Sequence, residues 1–345
     1  TQEVTEMSKQ IPFRYDFVGS FLRPANLKAA REGFENGKIS ADELKAVEDK
    51  EIERLINKQK ELGYHVITDG EFRRATWHLD FMWGFDGVAH EKTKTGLPFH
   101  GEDAMIDDTY LCGKVGLSKV HPFVEHFKFV KQFEDENTVA KQTIPAPAQT
   151  LAELFREDNG KKTEKIYPNI NDLINDLAAA YRTVIKELYA AGCRNIQFDD
   201  CTWGMIVDDK YWAAKVGDGF TLKDEAEKYL KVNNLAIEGK PDDLTITTHV
   251  CRGNYHSTYA SKGAYDAVAP YLFAKENADA FYLEFDDERS GGFEPLKYVS
   301  DNKKVVLGLI TTKSPVLENK DAVIARIKEA AKYIPLDRLY LSPQC

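Results

Sequence analysis

The sequence is sparing with sulfur, with five cysteines and four methionines among 345 residues. Cys112, Cys193, Cys201, Cys251 and Cys345 are odd in number and widely spaced, which excludes a disulfide framework and fits a reducing compartment. No apolar run approaches the length needed to span a bilayer. The opening residues have neither the basic cluster nor the apolar stretch of a signal peptide. A basic excess is also lacking. The formal net charge of -10 argues against an extended nucleic-acid surface, although a local basic cleft could still take an anionic substrate. There is no Gly-x-Gly-x-x-Gly after any apolar run, no low-complexity linker and no internal repeat. These absences lead to the expectation of a soluble cytoplasmic protein that binds neither nucleic acid nor membrane.

What is present is an alternation of short apolar runs with amphipathic stretches. Runs near residues 17, 66, 140, 196, 246, 282, 307 and 339 read as eight strands. Ser40 to Glu43 has the form of a capping box that opens a helix through about Leu62. Further helices are expected from Asn169 to Ala191, from Leu222 to Ile237 and from Asp321 to Tyr333. Strands alternating with helices in this number predict a (β/α)8 barrel, a TIM barrel, with an open doubly wound sheet as the alternative. Residues from about 76 to 135 break the rhythm and predict a β-rich insertion after the second strand. Within it, Phe127 to Phe133 alternates like a half-exposed strand. The whole of 1–345 is then one domain. A complete barrel calls for an eighth helix beyond Cys345, so the chain is expected to continue.

The unusual polar residues fall at or just past the ends of these strands: Ser20, Asp69, Glu71, Asp199, His249, Cys251, Glu284, Thr311 to Ser314, and Cys345. In barrel enzymes that face carries the active site. His249 and Cys251 stand two apart on one strand and so point to the same side, and imidazole with thiolate suits Zn2+. Glu284 and Cys345 would complete a tetrahedral shell, although gaps of 33 and 61 residues match no zinc-finger spacing. Two thiolates and a carboxylate would leave the site at about -1 in formal charge. Such a shell suits keeping a substrate thiolate nucleophilic better than acidifying a water. Taken singly, His249 would default to a core histidine and Cys251 to a small buried hydrophobe.

Several of these segments resemble the catalytic barrel of the cobalamin-independent methionine synthase family. His249-Val250-Cys251 resembles its His-x-Cys, Leu283-Glu284 with Arg289-Ser290 its Ile-Glu and Ser-Arg-Ser, and Ser342-Pro343-Gln344-Cys345 its Asn-Pro-Asp-Cys. The resemblance implies that His249, Cys251, Glu284 and Cys345 bind catalytic zinc. Val18-Gly19-Ser20-Phe21 is similar to the family's Ile-Gly-Ser-Phe, which implies that Gly19 and Ser20 hold the homocysteine carboxylate. Asp69-Gly70-Glu71 and Gln197-Phe198-Asp199-Asp200 are similar to His-Gly-Glu and Gln-Ile-Asp-Glu, which implies that Glu71 and Asp199 receive its ammonium. By contrast, both acids could simply pair with Arg73, Arg74 or Arg252.

The chain departs from the family pattern in three ways. It has no room for a second, N-terminal barrel. The loop after Pro145 lacks the tryptophan on which the family stacks a pterin. Lys313, in Thr311-Thr312-Lys313-Ser314-Pro315, stands where the family has the histidine of Asp-Ile-His-Ser-Pro. An ammonium could act as that acid only if its ordinary pKa of about 10.4 were lowered; otherwise Lys313 is a solvated loop lysine.

The expected function is methyl transfer from a methyltetrahydrofolate-type donor to the homocysteine thiol, giving methionine. The alternatives are a methylcorrinoid or small methylated sulfur compound as donor, a zinc and thiol-binding barrel without turnover, or a metal-free barrel like the uroporphyrinogen decarboxylases. A homo-oligomer stays open.

Overall fold

A computed structural model of the chain describes residues 2–92, 96–99, 102–215 and 219–345. Twelve strands are described: β1 (Val66–Ile67), β2 (Asp86–Glu91), β3 (Gly96–Phe99), β4 (Glu102–Met105), β5 (Asp108–Gly116), β6 (Val139–Ala140), β7 (Gln142–Pro145), β8 (Asn195–Asp200), β9 (Thr245–Val250), β10 (Ala280–Glu284), β11 (Lys304–Ile310) and β12 (Leu339–Pro343). Six of them form one parallel sheet in the order β12-β11-β10-β9-β8-β7, and β1 pairs in parallel with β6. Every residue of β8 and β10 is buried, as expected of parallel strands covered on both faces. The architecture is α/β with parallel sheets.

The helices begin and end where their capping residues require. Ser40 accepts from the backbone N–H of Glu43 at 3.1 Å while the Glu43 carboxylate accepts from that of Ser40 at 2.7 Å. That box starts the helix Ala41–Glu61. Asn169, Thr221 and Asn319 cap the helices Ile170–Ala190, Leu222–Ile237 and Lys320–Ala330, each side chain accepting from a first-turn backbone N–H. After β10, two short 3₁₀ turns, Glu288–Ser290 and Glu294–Tyr298, stand where the alternation called for an α-helix.

Two expectations need correction. The run near residue 17 forms no strand. A single parallel bridge joins Tyr15 to Leu341, through bonds from the Asp16 N–H to the Leu341 carbonyl (2.9 Å) and from the Leu341 N–H to the Arg14 carbonyl (3.0 Å). Beyond it, the positive φ of Gly19 (133°) turns the backbone out of the extended path. Phe127 to Phe133 is likewise no strand. It lies largely in the helix Pro122–Lys131, whose start is set by His121, accepting from the Phe123 N–H, and by proline in the first turn. Phe123, Phe127 and Val130 are buried at helical spacing and fill the core, a period that outweighs the short alternation. The region is therefore mixed, with the antiparallel pairs β2–β5 and β3–β4 accompanied by helices.

Candidate active site

Two neighbouring strands, β9 and β10, and the segment past β12 converge on a group of four donors. His249 is the penultimate residue of β9, with Cys251 just past it, Glu284 ends β10, and Cys345 lies two residues beyond β12. One ligand atom from each lies within 4.8 Å of all the others. The Cys251 and Cys345 sulfurs are 3.9 Å apart. Two thiolates about 2.3 Å from a tetrahedral zinc would be separated by about 3.8 Å, so the spacing suits that ion. Both ring nitrogens of His249 are buried without a hydrogen-bond partner, an arrangement that costs free energy unless something else uses them. The donor set and this orphaned imidazole fit a zinc ion.

The surroundings shift these groups in different directions, and Cys251 alone of the four is moved toward the deprotonated form that a metal takes. Hydrogen bonds from the Cys201 and Cys345 thiols hold Cys251 well below the ordinary thiol range, and the same bonds push Cys201 and Cys345 up. The Gly253 N–H adds a contact to the Cys251 sulfur at 3.3 Å. Burial pulls His249 down, but the Cys251 sulfur and the Asp199 and Glu284 charges prevail and lift it to about 9. Burial and the Cys251 charge raise Glu284 to about 7, against the pull of His249 and Arg289. Its two oxygens accept from the Arg252 N–H (2.9 Å) and the Arg289 guanidinium (2.5 Å). Its own N–H donates to the Tyr265 hydroxyl at 3.0 Å, which fixes the end of β10.

Next to the quartet lies a second group of polar residues. Asp199 on β8 pairs in register with His249 on β9. Gln197 donates to Asp199 at 2.7 Å and to the Val18 carbonyl at 2.8 Å, which ties the loop carrying Gly19 and Ser20 to β8. A Cβ on Gly19 would stand 3.0 Å from the Thr143 methyl, so this backbone admits nothing larger than glycine without adjustment. Ser20 is exposed and accepts from Arg23 at 3.0 Å. Glu71 is buried, with its own φ at 63°. One of its oxygens accepts from Thr143 at 2.7 Å and sits 3.3 Å from Arg74, while the other is buried with no partner. Burial and then the Glu71 charge raise Asp199 to about 7. An ammonium bound beside both carboxyls would relieve their repulsion.

Lys313 lies near the Cys345 sulfur, whose thiolate it favours. Its ammonium donates to the Gly253 carbonyl (3.1 Å), the Asn254 side chain (2.7 Å) and the Thr258 carbonyl (3.2 Å), which occupies all three protons. Asp200 points away from the site toward Thr202 and Asn233. Trp203 and His78 are fully buried, with His78 paired to Glu153 at 3.3 Å, so they pack rather than line a mouth. Sequence reasoning did not place Cys201 among the site residues, yet it stands two past Asp199 just as Cys251 stands two past His249. That shared spacing on two paired strands was the available signal. It also passed over Arg23 and Thr143, for which no pattern in the sequence existed.

The fold and this cluster define an α/β protein whose reactive side chains gather past the C-terminal ends of parallel strands. The family model described as the catalytic domain of cobalamin-independent synthases matches residues 15–96 and 158–345. The chain belongs to the cobalamin-independent methionine synthase catalytic-domain family. Two uncharacterized proteins of Bacillus subtilis (strain 168), YxjH and YxjG, are each 42% identical to it, over 99% and 98% of this chain and 89% and 88% of their own lengths. A structure from Listeria monocytogenes, provisionally described as a vitamin-B12-independent methionine synthase, is 40% identical with a TM-score of 0.77, covering 97% of this chain and 91% of that one. A B12-independent methionine synthase from Shewanella sp. W3-18-1 shares the fold at 22% identity and a TM-score of 0.65, over 89% and 83% of the two chains. No helix among the described residues is long and apolar enough to cross a membrane.

Proposed function

We propose that this chain is a zinc-dependent methyltransferase that converts homocysteine to methionine. The observation that carries the proposal is the convergence of His249, Cys251, Glu284 and Cys345 beside the paired acids Glu71 and Asp199. Zinc held by the quartet would bind the substrate sulfur as a thiolate and, with its charge already neutralised by the shell, leave that sulfur nucleophilic. The chain's own residues do the positioning. Glu71 and Asp199 receive the ammonium, and the Gly19–Ser20 backbone with the Ser20 hydroxyl receives the carboxylate. The sulfur is thereby held at the metal end of the cleft, which makes the displacement effectively unimolecular. The sulfur gains the bond to methyl, the donor departs with the electron pair of its broken bond, and the thiol proton is released to solvent.

The further expectations of one domain, closed as a (β/α)8 barrel and working in the cytoplasm, belong to the same proposal. The hydrogen bonds of residues 14–16 to Leu341 and of Phe21 to Gly70 support closure, because they place the N-terminal segment between β12 and β1.

The proposed donor is a methyltetrahydrofolate. A second possibility is supported by the saturated Lys313 ammonium, which has no proton to spare for a leaving nitrogen. A methylcorrinoid or a small methylated sulfur compound leaves without being protonated and would not require that acid. The test is turnover of homocysteine against a panel of these donors, with zinc quantified in the same sample. Methionine formed from one of them, in proportion to zinc, is the expected result. A zinc-loaded sample that binds homocysteine but turns over with no donor would overturn the proposal in favour of a thiol-binding protein.

A further inference from the structure

The two cysteine donors come from segments far apart in sequence, and one pair of loop residues joins those segments. Cys251 opens the stretch Arg252-Gly253-Asn254, and Cys345 follows Gln344. Thr312 and Lys313 lie between them in space. The Thr312 N–H donates to the Gln344 side-chain oxygen at 2.6 Å, and the Gln344 amide donates back to the Thr312 hydroxyl at 2.9 Å. The same hydroxyl accepts from the Asn254 amide at 3.0 Å. Lys313 then fastens the other side through the Gly253 carbonyl, the Asn254 oxygen and the Thr258 carbonyl. Gln344 is only 1% exposed, so its amide is held inside the protein while Thr312 meets it from the exposed side.

Together these contacts tie residues 253–258 to residue 344. Within the loop, Tyr255 and Thr258 exchange backbone bonds at 3.2 and 2.9 Å, and the Ala260 and Ser261 N–H groups return to the Arg252 carbonyl. Gly253 has a φ of 90°, and His256 and Ser257 follow with φ of 47° and 61°, in a region that side-chain-bearing residues rarely adopt. Backbone held there needs outside contacts to keep it, and Lys313 supplies three of them.

We propose that Thr312 and Lys313 form a clasp that sets the separation of the Cys251 and Cys345 sulfurs. Lys313 is then a positioning residue for the thiolate pair, and its proton is not used in the reaction. The proposal builds on the metal-binding function proposed above, and each can fail without the other.

Two measurements test it. In the first, the full-length protein and its Thr312→Val, Lys313→Met and Lys313→Arg variants are loaded with Co2+, and affinity and thiolate-to-cobalt absorbance are read. Thr312→Val and Lys313→Met should each weaken binding by about 10- to 100-fold, the range for residues that orient metal ligands. The absorbance per cobalt should fall, with no change in the unfolding midpoint of the metal-free protein. Lys313→Arg, which keeps charge and donors, should recover part of the affinity. Loss in Lys313→Met with a wild-type Thr312→Val would identify the effect as one of charge and overturn the clasp.

In the second, metal-free protein carrying Cys201→Ser is treated with diamide. Diamide takes two electrons and two protons from a thiol pair and becomes the hydrazine, and the Cys251–Cys345 disulfide is followed by peptide mapping. The clasp predicts that adding Thr312→Val or Lys313→Met slows this bond several-fold, and equal rates would overturn it. Should the unaltered protein bind no metal, the metal-binding function fails, while the disulfide rates still decide the clasp.

Discussion

The two ends of the candidate cleft are finished to different degrees. At the acceptor end nearly every polar group already has a partner: Ser20 with Arg23, Glu71 with Thr143 and Arg74, Asp199 with Gln197. At the metal end His249 has no hydrogen-bond partner for either ring nitrogen, and two of its neighbours are thiols. The difference matches the demands of the two proposed ligands. An amino acid arrives with its own charges and needs a rigid pattern of partners, which preformed hydrogen bonds supply. An ion supplies the missing partner itself, so its donors must be left open until it binds.

The largest effect should follow from breaking the open end. Cys251→Ser removes a donor rather than its support, so zinc affinity should fall by more than about 100-fold. A chelator competition would measure it, and affinity within a few-fold of the unaltered protein would contradict the metal assignment. The acceptor end should respond less. Asp199→Asn removes one charge from the ammonium site, at a cost of about 1.5–3 kcal/mol in binding, roughly 10- to 150-fold. Calorimetry with methionine is the cleaner measurement, because no substrate thiol titrates. With Asp199 near 7, methionine should bind more tightly as pH rises through about 7, and Asp199→Asn should flatten that dependence.

Two smaller effects concern stability. Gly19→Ala forces a side chain into a φ of 133° and against the Thr143 methyl, so unfolding in urea should show a loss of about 1–3 kcal/mol. Asp199 has a folded pKa above its unfolded value. Its stabilising contribution is complete below about pH 4 and is lost as pH rises to about 7. In metal-free protein, Asp199→Asn should therefore raise stability by on the order of 1–3 kcal/mol at pH 8 and change little at pH 4. A variant destabilised equally at both would show that the carboxyl is not strained by burial.

The sequence was most legible where one local force decided the outcome. Runs such as Asn195–Asp200 and Ala280–Glu284 are buried on every residue, and nothing competes with a strand there. It was less legible where two signals competed. Phe127 to Phe133 alternates as a strand would, but His121 and Pro122 start a helix that buries Phe123, Phe127 and Val130 together. Near residue 17 an apolar run meets a glycine of positive φ, and only one bridge forms. The donors at the cleft were read as strand-end residues, and the structure brings them within one ion's reach. What spacing could not carry was Thr143 reaching Glu71 from 72 residues away, or Arg23 reaching the Glu71 carbonyl. Such pairings exist only once strands have taken their order in the sheet.

The bridge between Tyr15 and Leu341 also bears on how the protein is made. The segment that carries Gly19 and Ser20 is synthesised long before β12, its hydrogen-bonding neighbour. Cys345 follows that strand, so a growing chain holds at most three of the four donors until residue 345 has been made. Domains tend to consolidate as they are synthesised. Here both ends of the site wait for the same closing contact, and the full set of four donors assembles only after β12 has been made.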